Sequence, residues 1–274
     1  MIGYLVDVEF VWGFQSKVVG YSKTSPSFHY PPPTTMLGAL AASIAKENNL
    51  SESRIRDLMP ALSNDLLAIG VKSLNCLPIK FSDINKLIAT KITGGIRYPT
   101  PADPYGSFDA PATGKTILTS LNDEPPRLRF YLVFEDNTIR TSDARELVLD
   151  KHVMWSIHRL GSKESLVSVT NVEEFKTEKL TGKIHTSYSF PLIRGVTAIN
   201  YVSPKWTQEV LINPFTISIY DPVTHYLLGQ NTVKYVIPIV ESLKTLPTYL
   251  VEVTDDACAY KYGEEVVVGV CRKM

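Results

Sequence analysis

Residues 12–40 read WGFQSKVVGYSKTSPSFHYPPPTTMLGAL, twenty-nine positions without one Asp or Glu. The stretch begins where an apolar run ends and finishes inside a helical pattern. Before it, Leu5, Val6, Val8, Phe10 and Val11 are β-formers, and Asp7 and Glu9 fall on one face, which predicts a strand over residues 2–11. A strand met so early in the chain is expected near the middle of a sheet. Pro31, Pro32 and Pro33 then impose an extended, polyproline-like approach. Thr34 or Thr35 is the expected N-cap of a helix over MLGALAASIAKENNL. Met36, Leu37, Leu40, Ala41 and Ile44 form its apolar stripe, Gly38, Ala39, Ala42 and Ser43 are small enough for close packing on a sheet, and Asn48 and Asn49 end it.

Working outward, Ser51 and Glu52 predict the start of a second helix that stops near Pro60. LLAIGVKSLNCLPIKF, residues 66–81, reads as one strand with Pro78 marking a bend or edge. Residues 82–126 change character to proline, glycine and small polar residues. A segment that long without a packed pattern is usually functional, and it is expected to form a protruding β-hairpin carrying Lys91, Arg97, Tyr98 and Lys115. RLRFYLVFE (127–135) is a strand. Residues 142–157 read as a helix capped by Ser142 or Asp143, with Gly161 closing it, and 166–172 as the next strand. The remainder is a series of short strands, the last two turning at Gly263. The order predicts an α+β fold: a ferredoxin-like (RRM-like) domain over 1–172 with an insertion at about 82–126, and a β-rich region over 173–274.

Lys+Arg and Asp+Glu are both 28 among 274 residues, so a nucleic-acid partner would have to meet a local basic patch rather than bulk charge. Cys76, Cys258 and Cys271 are odd in number and far apart, which implies neither a metal site nor a disulfide framework and suits a reducing, cytoplasmic setting. No apolar run approaches the ~20 residues of a membrane span, and the first residues lack a signal-peptide pattern.

The acid-free loop interleaves rings (Trp12, Phe14, Tyr21, Phe28, Tyr30) and His29 with Lys17, Lys23 and hydroxyls such as Ser16 and Ser25. Unpaired RNA is held by stacking bases on rings while cations and hydroxyls take phosphates and 2′-OH groups. The alternative is a loop tucked onto the core by its own aromatics. The start of the following helix, with Thr34 and Thr35, could hold a phosphate through free N–H groups. HRLGSKES at 158–165 is a second basic-polar turn, with His158, Arg159, Ser162, Lys163 and Ser165 as phosphate contacts. Tyr21, Lys23 and His29 are the residue types of a metal-free RNA-cleaving site, but spacing does not bring them together. Neither the five histidines nor the cysteines form a zinc pattern. GKT at 114–116 lacks the upstream glycine of a phosphate loop, because position 109 is Asp. No catalytic residue, cofactor or metal is expected.

The strand ending in WGF, followed by SKTSPSFHYPPPTTMLGAL, resembles the N-terminal signature of the CRISPR-associated Cas protein family five, of the RAMP superfamily. RLGSKESLVSV at 159–169 resembles the family's second recognisable stretch, and the details are most similar to the archaeal subtype A branch, with the subtype D counterpart close. The resemblance implies a structural subunit of a type I Cascade effector complex in antiviral defence. Such a subunit grips the 5′ handle of the guide RNA, contacts the backbone RAMP subunit and the large subunit, and meets target DNA only indirectly. It implies that residues 82–126 are a thumb. The glycine-rich loop many RAMP proteins carry near the C-terminus is reduced here to Gly263 and Gly269. One branch of the family cleaves guide precursors with a Tyr, Lys and His set that has no matching positions here, so no nuclease activity is expected.

Overall fold

The computed structural model describes residues 1–274 apart from 17, 19–23, 52–54, 85–86, 89–90, 105–107, 110–111, 200–205, 219–221, 241–246, 255 and 272–274. The molecule is strand-rich with few helices. In chain order the elements that place the site are β1 (Ile2–Phe10), α1 (Pro33–Glu47), α2 (Ile55–Asp65), β2 (Leu66–Ser73), β3 (Cys76–Ile84), β4 (Ala112–Ser120), β5 (Arg127–Phe134), α3 (Lys151–Trp155) and β6 (Val167–Lys176). β7 (Trp206–Ile212), β8 (Thr232–Pro238), β9 (Tyr249–Val253), β10 (Ala257–Tyr262) and β11 (Glu265–Val270) follow.

The main sheet runs β6-β1-β5-β2-β11-β10, with Glu178–Leu180 at its far edge, and every neighbouring pair is antiparallel. β1 has a partner on each side, as expected of the first strand. Its alternation is buried on both faces. Tyr4, Val6, Val8 and Phe10 meet Phe130 and Leu132 of β5 and the Met36, Leu37, Leu40 and Ile44 stripe of α1. Leu5 lies in a second cluster with Tyr131, Val133, Tyr188, Tyr260 and Val267. Asp7 shares that second face. It sits opposite Arg129 in the ladder and accepts two hydrogen bonds from that guanidinium, at 2.6 and 2.8 Å. Arg129 also donates to Glu265 at 2.9 Å, and Lys72 closes the row on the same carboxylate.

β3 and β4 form an antiparallel arm, in register from Cys76↔Ser120 to Ile84↔Ala112, and a small hairpin of Lys91–Thr93 with Ile96–Tyr98 lies beyond it. Pro78 falls in β3, whose only ladder among the described residues is with β4, and an edge strand tolerates its missing donor. Among the described residues no helix is long and apolar enough to cross a membrane.

Several local expectations need correction. α1 is entered through Pro32, in polyproline conformation (φ −57°, ψ 152°), with Pro33 at N1 and no side-chain cap, so neither threonine caps it. α2 runs through Pro60 because burial of Leu58, Ala61 and Leu62 outweighs one lost amide bond. Residues 66–81 are two strands in different sheets, broken at Leu74 and Asn75, where the Asn75 carboxamide takes the Arg127 N–H and donates to Asn122 and Pro125. Residues 142–157 are not one helix. Thr138–Arg140 pairs with Glu146–Val148, burying Ile139 and Leu147, and only the five-residue α3 is helical, capped by Asp150 on the Val153 N–H at 3.1 Å. Gly161 therefore closes no helix. Cys258 and Cys271 are disulfide-bonded and Cys76 is a buried free thiol, against the expectation of three unpaired cysteines.

Candidate nucleic-acid interface

The chain leaves β1 at Trp12 and returns past the same place 150 residues later, and hydrogen bonds fasten the two passes together. The Trp12 indole Nε1 donates to the Glu164 carbonyl at 2.9 Å, the Gln15 N–H to the Ser165 hydroxyl at 3.0 Å, and the Ser162 N–H to the Gln15 carbonyl at 3.0 Å. Ser165 is fully buried and its N–H returns to the Ser162 carbonyl at 3.0 Å. Gly161 has φ +119°, and a Cβ there would stand 2.6 Å from the Gln15 carbonyl oxygen, so the approach of the two passes requires glycine.

Between these passes and α1 opens a cleft of about 490 Å³. Gln15, Ser16 and Thr35 form one wall and His158, Arg159 and Ser162 the other, over a floor of Gly38, Ala39 and Ala42. No lining residue is acidic. Ser16 and Thr35 hydroxyls meet at 3.4 Å. The small residues of α1 thus face the cleft rather than the sheet, and a Cβ on Gly38 would meet nothing within 4 Å. α1 carries no acidic residue in its first turn, so its dipole is uncompensated there. Arg159 is exposed and, among the described residues, makes no ion pair. His158 is exposed, its Nδ1 3.3 Å from the Ser156 carbonyl. Lys163 is exposed and outside the cleft lining, 3.9 Å from the exposed Glu164 carboxylate. A hydrogen bond from Ser162 and the charges of Lys163 and Lys115 hold that carboxyl below its ordinary range.

The structure therefore brings together Thr35, His158, Arg159 and Ser162 in the cleft, with Ser165 at the junction and Trp12 tied to the same turn but outside the cleft lining, while Thr34 is half-buried beside Thr35. Other expected contacts lie elsewhere. Phe14 (0 % exposed) and Tyr30 (2 %) are core residues and cannot stack on a base. Burial drives the Tyr30 phenol well above its ordinary pKa. Ser25 is buried against the arm. His29 turns to β7, where its N–H and Nδ1 both meet the Glu209 carboxylate, at 3.0 and 2.7 Å, with Lys80 3.7 Å from the same group. Arg97 and Tyr98 sit on the small hairpin beyond the arm, Arg97 exposed and opposite Ile92. Lys17, Tyr21 and Lys23 lie outside the described residues.

No protein-family model matches the chain. Over 98 % of its length it is 27 % identical to "CRISPR system aCascade subunit Cas5 1" of Saccharolobus solfataricus, covering 99 % of that protein. It is 26 % identical, with the same coverage, to "CRISPR-associated protein Cas5 3" of the same organism. A crystal structure of a CRISPR protein from Archaeoglobus fulgidus superposes with a TM-score of 0.74 at 44 % identity, over 99 % of this chain and 100 % of that one. The chain belongs to the Cas5 family of CRISPR-associated proteins.

In this Cas5 chain the cleft floor is what residue types alone did not reveal. Thr35, Gly38, Ala39 and Ala42 recur at helical spacing opposite the Met36, Leu37, Leu40, Ile44 stripe, so the pattern that predicts the helix also contains its open face. Trp155, 48 % exposed and two residues before cleft-lining Ile157, is a further ring at the surface. It is isolated in sequence from the aromatic-rich loop, which is why composition passes over it.

Proposed function

We propose that this protein is a non-catalytic RNA-binding subunit of a CRISPR effector complex, holding the repeat-derived 5′ handle of the guide RNA in the cleft between α1 and the 158–165 turn. The observation that carries this is the meeting of a polar pass (Gln15, Ser16) with the basic-polar 158–165 turn, distant in sequence, at one cleft without a carboxylate in its lining. Hydroxyls and N–H groups suit phosphate and ribose, Arg159 supplies an exposed cation that has no ion pair among the described residues, and the small-residue floor admits a nucleic-acid backbone. The order β6-β1-β5-β2, with helices after β1 and after β5, supports a ferredoxin-like (RRM-like) domain. The β3/β4 arm would serve as the thumb toward the backbone subunit, and the large subunit would be the other neighbour, in the cytoplasm. The relationship to a Saccharolobus aCascade subunit supports the assembly role. Titrating repeat-derived single-stranded RNA at several salt concentrations tests the proposal. Affinity should fall with salt, and the slope should shrink in Arg159→Ala. Salt-independent binding, or none, refutes it.

The second reading is a guide-processing endoribonuclease. Its support is the His29 imidazole seated on Glu209, which would orient a general base. Site-specific cleavage of repeat RNA in chelator, abolished in His29→Ala, would establish it in place of the first.

A further inference from the structure

From the placement of Cys258 and Cys271 we infer a thiol–disulfide redox site that locks the C-terminal hairpin onto the main sheet. β10 and β11 are the last two strands among the described residues. They carry Ala257, Cys258, Ala259, Tyr260, Val267 and Val268, all fully or almost fully buried, so two of the protein's hydrophobic clusters depend on their seating. Yet the ladder joining this hairpin to β2 registers at a single pair, Gly269↔Ala68. The approach is close, since a Cβ on Gly269 would stand 2.0 Å from the Leu67 carbonyl. Glu265, at the start of β11, also completes the Lys72 and Arg129 row.

The disulfide closes a 13-residue span around the hairpin, from the second residue of β10 to the residue just past β11, where the Cys271 N–H bonds the Asp256 carbonyl at 2.8 Å. A cross-link at the open end of a hairpin denies the unfolded chain its freedom and stops the strands fraying from their ends. Cys258 is completely buried and Cys271 only partly so, which makes the Cys271 sulfur the one an external thiolate reaches. Attack there forms a mixed disulfide on Cys271 and expels Cys258 as a thiolate that takes a proton. A second external thiol then displaces Cys271, leaving two cysteine thiols and one molecule of small-molecule disulfide. The reverse sequence, with a small-molecule disulfide as oxidant, remakes the bond and releases two thiols. Cys76 stays out of the exchange. Burial pushes its thiol up to about 11, and it is packed in the other cluster against Ser73 and the Arg127 carbonyl.

The test uses the full chain, purified without reductant. Thiol labelling in denaturant should count one reactive cysteine, rising to three after treatment with excess dithiothreitol. Reduction should lower Tm by roughly 6–12 °C and raise amide hydrogen exchange in residues 257–271 more than elsewhere. Cys271→Ser should show the lowered Tm from the outset and no further response to reductant. Three reactive thiols before reduction would overturn the inference. So would an unchanged Tm and exchange pattern in wild-type protein whose thiol count has risen to three, a comparison that needs no variant to fold.

Discussion

Ser165 and Arg159 stand six residues apart and do opposite work. Ser165 is buried and its hydroxyl is the acceptor for the Gln15 N–H, so Ser165→Ala should cost about 1–3 kcal/mol by orphaning a donor at the junction. Denaturant unfolding would measure it, and the same variant should weaken RNA binding only as far as the passes separate. Arg159 is exposed and, among the described residues, its side chain makes no ion pair, so Arg159→Ala should leave stability within about 0.5 kcal/mol while flattening the salt dependence of RNA binding by about one unit of slope. Phe14 makes the third case. Phe14→Ala should destabilise by about 3–5 kcal/mol and act on RNA only through folding, because the ring is wholly inside.

At the scale of elements, α1 offers a separation of fold from function. Gly38 lies mid-helix with open space beyond it, so Gly38→Ala should stabilise the protein by about 0.5–1 kcal/mol through helix propensity alone, read as a rise in Tm. The strand, the proline approach and the helix were all legible in residues 2–50, because local φ restriction and two clear periodicities agree there. The strand-rich α+β character of the chain was legible too, from short β-forming runs separated by turn residues. What residue types could not separate was a ring that stacks from a ring that fills the core: Phe14 and Trp12 lie two apart, and only tertiary packing sorts them. The hairpin in 138–148 hides from sequence patterning because helix formers such as Ala144 and Glu146 stand between the buried Ile139 and the alternating Leu147 and Leu149, and Ala144 adopts φ +61° to make the turn. Nothing local in the sequence pairs His29 with Glu209, which lies 180 residues away on β7.

Over the whole molecule, the sheet is seated between two apolar layers and pinned on one of them by charge. Burial alone would raise the Glu265 carboxyl, but the hydrogen bonds and charges of Lys72 and Arg129 outweigh it and hold the group below its ordinary range. A folded-state value below the unfolded one means the stabilisation is complete above the ordinary carboxylate range and is lost as pH falls through the depressed value. Stability measured by urea titration should therefore drop below about pH 4.5, less steeply in Glu265→Gln. Burial raises the Tyr131 and Tyr188 phenols on the same face, and these act in the opposite sense. Their contribution is whole below the ordinary phenol value and is lost as pH climbs past about 10. Breaking the row with Arg129→Ala should cost about 3 kcal/mol, since it leaves Asp7 without its guanidinium partner.

The cleft itself is tested most directly by filling it. Gly38→Phe places a ring in open space on the floor without disturbing the sheet side of α1, and fluorescence anisotropy with a repeat-derived single-stranded RNA reads the result. The account predicts at least a tenfold loss of affinity, about 1.4 kcal/mol, with Tm no lower than wild type. Wild-type affinity in a folded Gly38→Phe protein would contradict it.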